Sequence, residues 1–315
     1  MAVQLLSRAD TTALSRLASD YLTHCQARGL SPKTDIAYSV AINGVLLPWC
    51  EQEQIERVEE LTSRAVDRLS ADLLTRISKR GKPLSRESVH TYTRGIRQFL
   101  AWAEREGEPV AAKPQLPKLP KRYKDVLTAD EVNALEAGAP TERDRLIIRI
   151  LGDCGLREGE LARLTVGNIL RPDNRGQLRI DGKGRRERRV PAMPRLLRRI
   201  ERYIDGHHER PASNDRIFLS LRRGRTGEYE PLTESGIQQA VQGIGLRTNC
   251  RLPIGPHLIR HSWITEMLRQ GMDPIQLSII AGASLKVIMD HYQHLNQEDA
   301  YKAMNAAIAS RDTRH

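Results

Sequence analysis

Residues 154–164 read Cys-Gly-Leu-Arg-Glu-Gly-Glu-Leu-Ala-Arg-Leu. Leu161 and Leu164 are three apart and give one side of a short helix. Gly155 supplies a tight turn just ahead of it. Arg157 therefore stands at a helix N-terminus, where free N–H groups and the helix dipole favour an anion. Its planar fork can take two oxygens of a phosphate at once. Glu160, one turn on, can orient the guanidinium. Taken alone, the stretch fits an ordinary surface salt bridge equally well, so its surroundings decide the reading.

Downstream, Gln177–Asp181 and Arg188–Pro191 read as short strands around the turn Gly182-Lys183-Gly184. A helix follows, with Leu196, Leu197, Ile200, Tyr203 and Ile204 on one face and Arg195, Arg198, Arg199 and Arg202 on the other. A further helix covers about 233–243. Gly255-Pro-His257-Leu-Ile-Arg260-His-Ser-Trp263 puts His257 and Arg260 on one helical face. A histidine beside an arginine suits a site that neutralises a phosphate and moves a proton; a capping histidine near a surface arginine is the plainer reading. The stretch from Ala281 to His294 contains Tyr292, which periodicity alone would assign to packing. Upstream, Thr128-Ala-Asp-Glu131 is a capping box, and Leu146, Ile147, Ile150 and Leu151 mark a buried helix.

The first third predicts four amphipathic helices around a small core. Their stripes run Leu14–Cys25, Tyr38–Trp49, Val66–Ile77 and Val89–Ala103, with Ser31-Pro32 opening the second. In 108–123, Pro109, Pro114, Pro117 and Pro120 sit among Lys113, Lys118, Lys121 and Arg122, which forbids a helix and predicts an extended interdomain linker.

The chain has 315 residues and a net charge of +11, with 39% hydrophobic and 28% charged residues. That is globular composition and room for about two domains. Residues 171–225 carry 17 Lys/Arg against 7 Asp/Glu, while 1–115 carry 16 against 14. A basic field this local suggests a polyanion partner, although a solvated basic surface gives the same count. No apolar run approaches the ~18 residues that would span a bilayer. The N-terminus lacks the pattern of a secretory signal. Cys25, Cys50, Cys154 and Cys250 are isolated, which argues against a disulfide framework or zinc site and fits a cytoplasmic location.

Taken in order, these segments resemble the tyrosine recombinase (phage integrase) family. Gly155-Leu-Arg157 with Glu160 resembles its first arginine box, and Lys183 with Arg188-Arg-Val-Pro its lysine turn. His257 and Arg260 match its HxxR box, and Gly282 to His294 its nucleophile box, with the tyrosine at Tyr292. Leu30-Ser-Pro-Lys-Thr, Ile96–Trp102 and Leu127-Thr-Ala-Asp-Glu resemble the family's upstream domain and junction. One position departs: the family carries His or Trp after the glycine of the last box, and here stands Ala283. His291, His294 and His261 are candidate substitute donors. Losing one preorganised donor costs roughly 10²–10³ in rate in other enzymes.

The resemblance implies a mainly α chain with a small β-sheet or hairpin in its C-terminal domain. It implies a helical core-DNA-binding domain at 1–107, the linker at 108–123 and a mixed α/β catalytic domain at 124–315. The two domains would form a C-shaped clamp on the duplex, and the early first helix leaves no room for an N-terminal arm-binding domain. Tyr292 would attack a DNA phosphodiester and form a 3′-phosphotyrosine bond, needing neither cofactor nor metal. Arg157 and Arg260 would clamp the phosphate, Lys183 would protonate the leaving 5′-oxygen, His257 would assist, and Glu160 would support Arg157. Lys118, Lys121, Arg122, Arg185, Arg186, Arg195, Arg198, Arg199, Arg202, Arg222 and Arg223 would contact DNA, the last two from a basic 222–225 loop. Partners would be double-stranded DNA, other copies in a tetramer joined through a helix from about residue 297, and an accessory protein that sets direction. A catalytically weakened or inactive DNA-binding relative and a type IB topoisomerase-like enzyme are the alternatives.

Overall fold

In a computed structural model of the chain, the described residues are 12–77, 81, 83–119, 125–182, 187–207, 211–225, 227–292, 301, 304 and 305. The chain divides into two compact units, Met1–Arg122 and Tyr123–His315.

The first unit is helical: α1 (Ala13–Ala27), α2 (Pro32–Ala41), α3 (Leu47–Gln52), α4 (Ser63–Thr75) and α5 (Arg86–Arg105). Four of these begin at a hydroxyl that accepts a backbone N–H: Thr12, Ser31, Thr62 and Ser85. Leu14, Tyr21, Ile42, Leu46, Leu69, Ile96 and Phe99 form its core. The stripe from Tyr38 to Trp49 predicts one helix, but a π-helical turn at Ile42–Leu46 separates α2 from α3. Pro48 gives the reason. It has no N–H to donate, and its ring would strike the carbonyl one α-turn back. The wider turn, closed by Leu47 N–H to the Ile42 carbonyl, makes room for it.

The proline-rich strap is extended, as its composition predicts, but it is not a free linker. Ala112 and Pro114 are buried, Val110 packs on the helical core, and Lys113 and Gln115 face outward. Lys113 N–H donates to Ser63 Oγ at 2.9 Å, and the His90 ring meets the Pro117 carbonyl at 3.1 Å. An alternation of period two seats the strap on the helices like an edge strand. Lys118 is exposed; Lys121 and Arg122 lie outside the described residues.

The second unit is built around α7 (Glu142–Cys154), whose Leu146, Ile147, Ile150 and Leu151 are fully buried. Around it pack α6 (Ala129–Ala137), α9 (Pro194–His207), α10 (Glu234–Arg247) and α11 (Pro256–Arg269). The predicted capping box is present: Thr128 Oγ1 accepts Glu131 N–H, and Glu131 accepts Thr128 N–H. After α7 come α8 (Glu158–Ala162) and an antiparallel sheet of β1 (Ile169–Leu170), β2 (Gln177–Asp181) and β3 (Glu187–Pro191), in that order. The register pairs Leu178 with Val190 and Ile180 with Arg188. The sequence reading missed β1, which is two residues long. It also read Arg222 and Arg223 as loop; they end β4 (Leu219–Arg223), which pairs with β5 (Tyr229–Pro231). Leu221 and Tyr229 are exposed, so this hairpin lacks a buried face and shows no clear alternation. The Arg223 guanidinium lies 5.3 Å from the centre of the Tyr229 ring. The chain then forms α12 (Pro274–Ala281) and α13 (Leu285–Tyr292). Of the helix expected from about 297, only Tyr301, Met304 and Asn305 are among the described residues; they are helical and exposed. No described helix is long and apolar enough to cross a membrane.

Ala112→Glu forces a carboxylate into the seat of the strap. It should lower the unfolding free energy by about 2 kcal/mol in urea melts and speed tryptic cleavage after Lys118, in the same strap. Ala111→Glu, on the exposed side, should leave both unchanged.

Candidate functional site

Helix α7 ends at Gly155 in the left-handed conformation, φ 59°. A Cβ added there would run into the Trp263 ring, so glycine both makes this turn and lets α11 approach it. Two residues on, Arg157 is the N-cap of α8, and its N–H donates to Glu160 Oε2 at 2.8 Å. Arg260, on α11, is buried and reaches back to the same turn: its Nη1 donates to the Gly155 carbonyl.

The last carbonyls of α12 draw the arginines together. Ile280 O accepts from Arg188 Nε at 2.8 Å, Ala281 O from Arg260 Nη2 at 2.6 Å, and Gly282 O from Arg157 Nη2. The helix ends there because Gly282 turns left-handed, φ 61°. A helix C-terminus carries partial negative charge and favours cations. Glu160 supplies the full countercharge. Its Oε1 accepts from Arg157 Nη1 and Arg188 Nη1, each at 2.8 Å, and its Oε2 from Arg188 Nη2 at 2.8 Å and from Arg157 N–H.

The electrostatics follow from this arrangement. Burial by itself would raise the Glu160 pKa, but the Arg188 hydrogen bonds, the Arg157 N–H and the two cationic charges outweigh it and bring it down to about 2. Burial, with the neighbouring Arg157 charge, lowers Arg260 to about 10, against the opposing pull of Glu160. The arginine is thus charged at neutral pH, and the site holds a net positive charge suited to one anionic group.

The chain brings Arg157, Arg260 and Glu160 together around the turn at Gly155 and the end of α12. His257 is exposed in the first turn of α11, three residues before Arg260. Tyr292 ends α13, but its side chain and that of His291 lie outside the described residues, as do Lys183, Arg185, Arg186 and His294. Ile288, one turn before Tyr292, is fully buried against Trp263, Leu268 and Leu277 and anchors α13 to α11 and α12. Ala283 packs on the same cluster. His261 is buried on α11.

Along α9, Arg195, Arg198 and Arg202 are exposed. Arg199 departs from the expected stripe: its guanidinium is held by Glu136 at 2.6 Å and Glu142 at 3.0 Å, tying α9 to α6 and α7. Its place near the buried seam, where two carboxylates wait, is the reason. Arg222 and Arg223 are exposed at the end of β4. Among the described residues, no group of His, Cys, Asp and Glu is arranged to hold a metal ion.

Arg188 is the member of this site that sequence reasoning passed over. The signal was there in the strand register. Arg188 and Val190 alternate with Glu187 and Arg189, so an arginine occupies an inward position of β3.

The family model described as the phage integrase family matches residues 125–299. The tyrosine recombinase XerC 2 of Ralstonia nicotianae is 26% identical over 90% of this chain and 83% of its own length. The tyrosine recombinase XerA of Thermococcus onnurineus is 27% identical over 94% of this chain and 96% of its own. Among solved structures, the XerH site-specific recombinase bound to its palindromic difH substrate after cleavage superposes with a TM-score of 0.69 at 16% identity, covering 91% of this chain and 83% of that one.

Because the folded-state pKa of Glu160 is depressed, its contribution is complete above about pH 4.5 and is lost as pH falls toward 2. Between pH 6 and pH 3, the parent should lose about 2 kcal/mol more stability than Glu160→Gln in denaturant melts. Equal losses in the two proteins would show that the carboxylate carries no such depression.

Proposed function

The chain belongs to the phage integrase family of tyrosine recombinases, and we propose that its arginine pocket holds one phosphodiester of duplex DNA while Tyr292 attacks it. The observation that carries this reading is the meeting of Arg157 and Arg260, 103 positions apart in sequence, at the carbonyl end of α12. Each guanidinium donates one N–H there and a second elsewhere in the protein, Arg157 to Glu160 and Arg260 to the Gly155 carbonyl, which leaves three of its five N–H groups for a ligand.

The reaction is site-specific recombination. The Tyr292 oxygen bonds to phosphorus, the bond from phosphorus to the 5′-oxygen breaks, and a 3′-phosphotyrosine link forms. The leaving 5′-hydroxyl takes a proton from Lys183, and His257 assists the proton movement at the tyrosine. Arg157 and Arg260 stabilise the charge that builds on the non-bridging oxygens in the five-coordinate transition state. The ester bond is conserved in the covalent link, so the reverse attack by a 5′-hydroxyl of a second strand rejoins the DNA without an external energy source. With Ala283 in the last box, the two arginines carry more of the phosphate stabilisation.

Exposed Arg195, Arg198, Arg202, Arg222 and Arg223 provide sequence-independent phosphate contacts that position the duplex. Assembly is read as a tetramer on two paired sites, with the segment after Asn296 docking on a neighbouring copy. Exposed Ile275 and Ile279 on α12, and Leu285 and Met289 on α13, support an apolar docking surface of this kind. An accessory protein that sets direction completes the proposed assembly, in the cytoplasm.

A pool of nicked duplexes with randomised cores tests the chemistry. Denaturing gels should show a covalent protein–DNA adduct with the parent and none with Tyr292→Phe. Arg157→Ala and Arg260→Ala should each cut adduct formation by roughly 10²–10³. No adduct with the parent would leave a DNA-binding relative without catalysis. Ile275→Asp with Ile279→Asp should leave binding to one site intact and abolish joining of two duplexes, read by native gel on a captured duplex.

A further inference from the structure

We propose that Arg188 is a positioning residue: by holding both oxygens of Glu160, it limits that carboxylate to a single side-chain bond with Arg157 and keeps the rest of the Arg157 fork available for the phosphate. This rests on the reading that Arg157 binds a phosphodiester, and it adds a residue that acts through two others.

Arg188 is committed within the protein more fully than Arg157 or Arg260, each of which is engaged at two nitrogens. The Arg188 side chain is only 10% exposed. All three of its nitrogens are engaged inside the protein, Nε by the Ile280 carbonyl and Nη1 and Nη2 by the two oxygens of Glu160. Glu160, 4% exposed at its side chain, accepts four hydrogen bonds, two at each oxygen. Two come from Arg188, one from the Arg157 backbone and one from the Arg157 side chain. Without Arg188, each oxygen would lose one donor in a nearly dry setting. The adjacent Arg157 guanidinium would supply the replacement, because a carboxylate and a guanidinium pair best at two points. A two-point pair turns the Arg157 fork toward Glu160 and away from a ligand.

The backbone of α12 is shaped around the same side chain. A Cβ at Gly282 would lie 2.9 Å from Arg188 Cζ, so the turn after α12 leaves space for the guanidinium as well as adopting a left-handed φ. Arg188 therefore fixes two things at once: the carboxylate that steadies Arg157, and the carbonyl end of α12 on which Arg157 and Arg260 rest.

A role confined to tying β3 to α12 would give variants that are slow because they are loosened. The positioning role gives a specific rescue. The full chain is assayed on a nicked duplex captured by the parent from the randomised pool, with single-turnover adduct rate and DNA affinity measured separately. Arg188→Met should slow adduct formation by about 10²-fold while DNA affinity stays within about threefold. Arg188→Lys, which keeps a cation but has no fork, should be slowed about tenfold. The double variant Arg188→Met/Glu160→Gln removes the carboxylate that would capture Arg157, and it should recover about tenfold over Arg188→Met. A double variant as slow as Arg188→Met or slower overturns the proposal, as does an Arg188→Lys or Arg188→Met rate equal to that of the parent. Should Arg188→Met lose its fold by circular dichroism, the proposal is judged on Arg188→Lys, and a parent-like rate there overturns it. Absence of adduct with the parent itself is a different result and counts against the recombinase chemistry, since Arg188 is intact in that protein.

Discussion

The second unit depends on one carboxylate. Three guanidinium groups converge at the end of α12, and without a countercharge they would drive each other apart. Glu160 sits between two of them, saturated by four donors, and the carbonyls of Ile280, Ala281 and Gly282 take what remains. The carboxylate is ionised because the arginines are present, and the arginines are tolerated in a buried place because it is ionised. From this mutual dependence come the placement of Arg157 at the mouth of α8, the burial of Arg260 and the seating of β3 against α12.

Much of this was legible in the sequence. Helix starts announced themselves at Ser31 and Thr128, because a hydroxyl cap is a local device that needs no tertiary partner. The β2–β3 hairpin was visible from its turn and flanking strands, and the ordered boxes carried the family. What escaped were features whose cause lies far away in the chain. Arg188 reads as one basic residue among many until the pairing of β2 with β3 turns it inward. Arg199 reads as part of an exposed stripe until α6 and α7 bring Glu136 and Glu142 beside it.

The first unit adds two lessons of a different kind. Pro48 did not break the stripe it interrupts; the chain absorbed it with a widened turn and kept Trp49 on the buried side, where its indole N–H donates to Asp72 at 2.9 Å. The strap was extended as its prolines demand, yet the small apolar residues between the lysines bind it to α5 and its neighbours. Charge dominated the reading of that segment, while Val110, Ala112 and Pro114 decided where it lies.

The crowding of Gly282 against Arg188 also constrains how this protein can change over generations. The two positions occupy one another's space, so neither is free to drift by itself. A lineage that placed even a methyl group at 282 while the guanidinium was present would pass through a defective intermediate, whereas one that first shortened residue 188 would lift the clash and leave only the left-handed φ to favour glycine. The order in which mutations arise is thereby written into the packing, and a comparison of ancestors should show exchange at these two sites as a coupled event with a preferred direction.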